Sequence, residues 1–286
     1  MGASLLYGDP VVKDIERWCL RKGRRGAIEP VLAVLFFNTD TAAEDYVRIK
    51  AHVAAKAGVG YWVYEMSPKA TSSQVQAQVR ELNQNNHIHG ILIQRPLPEH
   101  LNEPKIMGTI DTEKHIEQYC GGERSDIAAD ALSRLLAKYG RRRDLYQSTI
   151  HIVGFGNIIT DNFVSHMKRQ YPWVSVSPNL PGKTDDTKGA DREAVLVSEL
   201  HRGPGYIRTD MIPQGTRTII DFGFYSTEKD GIVGDVDHTV FEEDGLAIAP
   251  TPGGVLPILL WLMMERTIRA RRLVTKAEWH GCCVCQ

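Results

Sequence analysis

The chain has 286 residues, long enough for two domains with cores of their own. A hydrophobic content of 42% and a charged content of 24% are those of an ordinary globular protein, and a net charge of −1 gives no global pull towards nucleic acid or an acidic surface. The opening Met1-Gly2-Ala3-Ser4-Leu5-Leu6 lacks a signal-peptide pattern, and the longest apolar run, Val255 to Met264, contains Pro257 and is too short to span a bilayer.

Residues 11–25 read as a helix with Val12, Ile15, Trp18 and Cys19 as its apolar stripe. The unbroken apolar run Val31–Phe37 reads as a strand. A helix over Ala42–Lys56 follows and stops at Gly58, a helix-ending glycine. Tyr46 and Lys50 are four apart and share a face of that helix. In a partly dry cleft they would form a proton-handling pair, because burial lowers an ammonium's pKa towards neutrality. On these two residues alone the ordinary reading, a solvated lysine, prevails.

Gly60–Met66 is a second strand. Ser72 or Ser73 is expected to cap a helix through Asn83, and Ile88–Gln94 is a third strand ending in Arg95-Pro96-Leu97-Pro98. Strand, helix, strand, helix, strand implies a parallel sheet with right-handed crossovers. Ligands of such sheets sit outside the carboxyl ends of the strands, where Gln94 lies and near where the Tyr46–Lys50 helix begins. Gln94 reads equally well as a strand-end amide capping a turn.

Residues 111–130 are polar and show no period. Ala131–Tyr139 reads as a helix with Leu132, Leu135 and Leu136 inward, and Gly140-Arg141-Arg142-Arg143 as a solvated break. Thr149–Thr160 is a strand, a Gly154-Phe155-Gly156 turn and a helix start. This resembles a dinucleotide fingerprint, in which amides at a helix N-terminus receive a pyrophosphate, but its third glycine is missing. The strand Trp173–Ser177 ends without an acid to hold a ribose 2′-hydroxyl. A helix–strand segment ends in Thr218–Gly223, and Asp230–Asp235 reads as a hairpin. Pro250–Pro257 is either a glycine loop allowing close approach of a ligand or a rigid interdomain loop. A last helix runs from about Ile258 to Arg272, its basic end (Arg266, Arg269, Arg271, Arg272) suiting a helix C-terminus.

Five cysteines, Cys19, Cys120, Cys282, Cys283 and Cys285, lack the spacing of a zinc site or a disulfide framework, so no metal is expected and the compartment reads as the cytoplasm. Cys283-Val284-Cys285-Gln286 formally matches a prenylation box, which a motif alone does not establish.

Four stretches carry a resemblance, in order and over nearly the whole chain. They are Tyr46-Val47-Arg48-Ile49-Lys50, Gly90–Pro98, Gly231-Ile232-Val233-Gly234-Asp235-Val236, and Pro250-Thr251-Pro252-Gly253-Gly254-Val255. With them the chain resembles the bifunctional methylenetetrahydrofolate dehydrogenase/methenyltetrahydrofolate cyclohydrolase (FolD) family. The resemblance implies an α/β protein of two domains. The first is an N-terminal α/β three-layer domain, residues 1–122, completed by the C-terminal helix 256–286. The second is a Rossmann-like dinucleotide-binding domain, residues 123–255.

The resemblance also implies NADP-dependent oxidation of 5,10-methylenetetrahydrofolate and hydrolysis of 5,10-methenyltetrahydrofolate. NADP is then the cofactor, the folate the substrate, and the assembly a homodimer without nucleic-acid or membrane partners. Lys50 handles the proton, Gln94 tunes it, and Tyr46 orients the folate. Ile93, Arg95, Glu117, Pro252, Gly253, Gly254 and Val255 line the substrate site, while Gly154, Phe155, Gly156, Asn157, Ile158, Ser177 and Ile232 face the cofactor.

Departures qualify this. The family's usual serine is Ala43 here, and its Lys-Asp-Val-Asp-Gly reads Lys114-His115-Ile116-Glu117-Gln118. Its Pro-Cys-Thr-Pro has no counterpart near Ile127, its Gly-Arg-Ser turn reads Gly154-Phe155-Gly156, and its later Gly-x-Pro reads Thr160-Asp161-Asn162. Its Gly-Pro-Met-Thr becomes Leu256-Pro257-Ile258-Leu259. The alternatives are a cyclohydrolase without the redox step, or a non-catalytic or repurposed folate-binding relative. Retention of Tyr46, Lys50 and Gln94 favours the enzyme.

Overall fold

The structure, a computed structural model, describes residues 2–23, 28–37, 41–120, 123–181, 192–227 and 231–281, and for 41–46 and 272–281 the backbone alone. In chain order these form β1 (Ser4–Leu5), α1 (Asp9–Gly23), β2 (Val31–Phe37), α2 (Thr41–Ala57), β3 (Gly60–Met66), α3 (Ser72–Gln84), β4 (Gly90–Ile93), α4 (Glu103–Met107), β5 (Tyr119–Cys120), β6 (Glu123–Arg124), α5 (Ile127–Lys138) and α6 (Asp144–Gln147). There follow β7 (Thr149–Gly154), α7 (Asp161–Gln170), β8 (Val174–Ser177), β9 (Ala194–Glu199), β10 (Thr216–Asp221), β11 (Tyr225–Thr227), β12 (Gly231–Val233), β13 (Ala247–Ala249) and α8 (Val255–Gly281). The chain divides into two compact units, Asp14–Ile127 with Leu260–Gln286, and Met1–Lys13 with Ala128–Leu259.

The first unit is built on a parallel sheet of order β3-β2-β4, with Val31 opposite Gly60 and Leu32 opposite Gly90. All seven residues of β2 are buried, as an apolar run covered on both faces must be. Val75, Val79 and Leu82 of α3 join Leu35, Phe37, Ile91 and Ile93 in the core. Each such side chain contributes roughly 1.5–3 kcal/mol by leaving water. The cap of α3 is Thr71, not Ser72 or Ser73: its side chain accepts from the Gln74 amide while the Gln74 side chain accepts from the Thr71 amide. A capping box needs Glu or Gln three residues on; Thr71 and Ser73 each have one, but the Gln76 side chain is engaged by the Lys105 carbonyl and the Thr109 hydroxyl, which leaves the Thr71–Gln74 pair. At the far end of α3 the Lys114 ammonium donates to the carbonyls of Leu82, Asn83 and the cap residue Asn85. Gly58 ends α2 with φ +70.

In the second unit six parallel strands run in the order β1-β13-β10-β9-β7-β8. Leaving β1 aside, this is a doubly wound order of the 2-1-3-4-5 kind, whose switch point lies between β7 and β9. There Gly154 pairs with Glu199 in register. The core comprises Val153, Leu196, Ile219, Ile248 and neighbours.

Several sequence expectations need correction. On α1 the buried stripe is Val11, Ile15 and Cys19, with Val12 and Trp18 half-buried at its flank. The third strand is only Gly90–Ile93, and α5 starts at Ile127 rather than Ala131. Between β9 and β10, all of it described, there is no α-helix, only a 3-10 turn at Thr209–Met211. The helix α8 starts earlier, at Val255, because Pro257 falls in its first turn, where a missing N–H costs nothing. It also runs to Gly281, so its arginines do not sit at a C-terminus. Arg141 is half-buried, paired with Asp144 and donating to the Thr218 hydroxyl, so it is not part of a solvated run. The side chains of Tyr46 and Ala43, and Asp230 and the cysteines of the tail, lie outside the described residues and side chains. No helix among the described residues is long and apolar enough to cross a membrane.

Candidate active site

In the first unit, α2 carries Lys50, and Gln94 is the residue just after β4. Lys50 is only 6% exposed and Gln94 8%. The Lys50 Nζ donates to Gln94 Oε1 at 2.6 Å, and Gln94 Nε2 donates to the Arg95 carbonyl at 2.6 Å. The second bond fixes the amide so that its oxygen faces the lysine. The reading of Lys50 as a solvated residue is therefore overturned by packing. Burial lowers its pKa from 10.5 to about 8, while the negative charge of Glu117 works the other way. Roughly a tenth of such a lysine is neutral at pH 7, so both protonation states are accessible.

Arg95 follows Gln94 and holds two carboxylates, Glu103 at 2.7 Å and Glu117 Oε1 at 2.9 Å. Burial works to lower its pKa, but the two negative charges overcome this and raise it. The second oxygen of Glu117, Oε2, is buried without a hydrogen-bond partner in the structure. It is an ionic acceptor that still wants a donor. His115, two residues earlier, is 3% exposed with neither ring nitrogen hydrogen-bonded. Burial, aided by the charges of Arg95 and Arg266, lowers its pKa to about 4 despite Glu117, so it is neutral at pH 7.

The segment bearing Glu117 is anchored by Arg266 of α8, 1% exposed. Its guanidinium donates to the carbonyls of Ile116 (3.0 Å), Glu117 (3.3 Å), Ser125 (2.7 Å) and Asp126 (3.5 Å), and to the Ser125 hydroxyl (3.1 Å). A planar five-donor fork suits a cluster of inward carbonyls. No sequence signal marks Arg266 for this, because three nearby arginines look like an ordinary basic helix end. Ile93 is fully buried in the apolar core.

The expected cofactor residues Gly154, Phe155, Gly156, Asn157, Ile158, Ser177 and Ile232 all belong to the second unit. Gly154 has φ +83, and a Cβ there would lie 2.1 Å from the Glu199 carbonyl oxygen. A Cβ on Gly156 would lie 2.5 Å from the Glu199 carboxylate. Both glycines are thus required by Glu199. That carboxylate accepts from the amides of Asn157 (2.8 Å), Ile158 (3.2 and 3.1 Å) and Ile159 (2.6 Å). Phe155 is exposed at the tip, and helix α7 starts only at Asp161, capped by Thr160. Ser177 ends β8 and its hydroxyl accepts from the Asn179 amide, while Ile232 lies in the hairpin β11–β12.

Asp221, at the end of β10, accepts from the amides of Gly223, Asp235 and Val236. Burial, then the charge of Asp235, raises its pKa to about 7. Asp235 in turn accepts from the Leu200 amide at 2.9 Å, which ties the Gly231–Val236 stretch to the residue after Glu199.

Pro252, Gly253, Gly254 and Val255 also lie in the second unit. The room that Gly254 leaves is filled by its own loop: a Cβ would be 2.5 Å from the Pro250 carbonyl oxygen. The Gly8 amide donates to the Gly253 carbonyl, and the Thr251 hydroxyl to the Asp221 carbonyl.

Comparison with known proteins bears on both units. A family model described as tetrahydrofolate dehydrogenase/cyclohydrolase, catalytic domain, matches residues 6–117, and one described as the NAD(P)-binding domain of the same family matches residues 127–275. The bifunctional protein FolD of Campylobacter jejuni (strain RM1221) is 28% identical over 254 residues, spanning 86% of this chain and 89% of that protein. The crystal structure of a bifunctional FolD enzyme from Campylobacter jejuni superposes with a TM-score of 0.78 at 24% identity, over 95% of this chain and 99% of that one. The Trypanosoma brucei enzyme complexed with NADP and an inhibitor gives 0.80 at 22% identity, over 96% and 99%. At these identities the solved structures establish a shared fold.

Proposed function

We infer the reaction from one premise: the chain belongs to the tetrahydrofolate dehydrogenase/cyclohydrolase family. It oxidises 5,10-methylenetetrahydrofolate and hydrolyses the resulting 5,10-methenyl compound to 10-formyltetrahydrofolate. The observation that carries this is the buried Lys50–Gln94 pair with a lysine pKa of about 8. NADP, when bound, supplies the hydride acceptor for the oxidation. The amides of the turn before α7 are engaged by Glu199 and do not fit a pyrophosphate in this arrangement, so it is the hydrolytic half that this chain's own residues are arranged to carry.

Water adds to the methenyl carbon and the neutral Lys50 amine takes one of its protons. The ammonium returns that proton to the pterin N5 as the carbon–N5 bond breaks, and the remaining hydroxyl proton leaves to solvent as the formyl C=O forms. The cationic substrate and water thus give the neutral 10-formyl product and one released proton, and the lysine ends as it began. Gln94 holds Nζ in place, and Tyr46 orients the folate. Glu117 accepts a pterin N–H at its open Oε2, since Oε1 is engaged by Arg95. The family resemblance assigns Ile93, Arg95 and Pro252–Val255 to the folate, and Gly154–Ile158, Ser177 and Ile232 to the cofactor. The assembly is a cytoplasmic homodimer, a reading supported by the family resemblance; light scattering on purified protein tests the dimer.

The occupied amide row favours a second reading, a cyclohydrolase without the redox step. Assaying the purified protein separately with methylenetetrahydrofolate plus NADP and with methenyltetrahydrofolate decides. Turnover of both supports the first reading, turnover of the methenyl compound alone supports the second, and turnover of neither removes the folate assignment.

A further inference from the structure

We propose that Glu199 is a built-in competitor for the dinucleotide, an internal carboxylate seated on the amides that a cofactor phosphate needs. The proposal rests on the cofactor half of the proposed function.

In a doubly wound sheet a ligand binds outside the carboxyl ends of the strands at the switch point, here between β7 and β9. Its phosphate is held by the amides of the turn leading into the following helix. Glu199 is the last residue of β9, opposite Gly154 at the end of β7. Its side chain reaches across to the turn and takes three consecutive amides, Asn157, Ile158 and Ile159, with distances from 2.6 to 3.2 Å. The residue is 2% exposed. The space beside the turn is filled as well, since a Cβ on Gly156 would meet the carboxylate. Three charge-assisted bonds to one buried carboxylate reproduce what a phosphate oxyanion would receive there.

A phosphate cannot share these donors, and it carries the same sign of charge as the occupant. Binding therefore requires the carboxylate to leave. An alternative partner is at hand: His201 Nε2 lies 3.6 Å from Glu199 Oε1 with its ring 45% exposed. Glu199 thus sets the affinity of the turn for phosphate-bearing cofactors, and wild-type binding is weakened by the cost of displacing it.

The test is calorimetric titration of NADP into the full-length wild type, Glu199→Gln and Glu199→Ala, with inorganic pyrophosphate as a second probe and thermal unfolding of each variant as the folding control. Removing the competing charge should tighten NADP binding by about tenfold or more, one charge-assisted hydrogen bond returned to the ligand. Pyrophosphate should follow the same order. Glu199→Gln keeps the side chain's shape and an acceptor for the turn, and decides the matter if the alanine variant does not fold. Variants that fold like the wild type but bind NADP no more tightly, or not at all, overturn the proposal. The titration needs no folate, so failure of the methenyl hydrolysis assay would remove the folate reading without touching this result.

Discussion

Glu117→Gln removes a negative charge that stabilises the Lys50 ammonium, and it should move the pH dependence of methenyl hydrolysis to lower pH. Burial, partly offset by the Glu117 charge, holds the lysine at about 8 against 10.5, a net penalty on the charged form of roughly 3.5 kcal/mol at about 1.4 kcal/mol per pH unit. Without the Glu117 charge the ammonium is less favoured, and the cation of Arg95, freed of one of its two carboxylates, pushes in the same direction. An opposite charge close by is worth about one pH unit at the low end, so the transition should fall by about that much. The assay is kcat/KM for methenyltetrahydrofolate against pH, which reports groups of the free enzyme. With the neutral amine as base, wild-type kcat/KM rises through about pH 8. In the variant the same rise comes earlier, whatever the substitution does to folate affinity. A profile that stays in place, or moves to higher pH, refutes the electrostatic account of this site.

Calorimetry with both dinucleotides should show NADP bound more tightly than NAD, because β8 ends at Ser177 with no acid to repel a 2′-phosphate or hold a bare 2′-hydroxyl; tighter NAD binding contradicts this. Arg266→Met strips the Ile116, Glu117, Ser125 and Asp126 carbonyls of a buried donor. It should cost about 3 kcal/mol or more in chemical denaturation, and a loss under about 1 kcal/mol would show that the guanidinium does not anchor this segment.

What could be read in advance followed the range of the physics involved. The strands β2 and β3 were legible to the residue, since an unbroken apolar run and a β-rich run bounded by glycine leave little choice. Gly58 was legible for similar local reasons, and the parallel pairing of β2 with β3 and β4 from the alternation of strands and helices. Thr71 was missed because three hydroxyl residues in a row compete for one cap, Thr71 and Ser73 each have a Gln three residues on, and only the tertiary partners of Gln76 separate them. β1 is two residues long, too short for any period, and exists by pairing with β13 far along the chain. Lys50 and Gln94 could be picked out, but their burial and mutual bond come from the tertiary fold that brings α2 to the residue after β4. Arg266 and Glu199 were invisible for the same reason: each is an ordinary charged residue whose partners lie tens of residues away. Glu199 also hides behind an apolar strand whose pattern announces a sheet and says nothing of its last side chain.

The role of Lys50 is tested most directly by Lys50→Met, which keeps most of the stem's volume and removes the group that exchanges protons. Hydrolysis of methenyltetrahydrofolate by the variant should fall on the order of a hundredfold or more, the effect of a lost general acid/base, while equilibrium binding of tetrahydrofolate survives. Unchanged turnover in a variant that still binds folate would contradict the account.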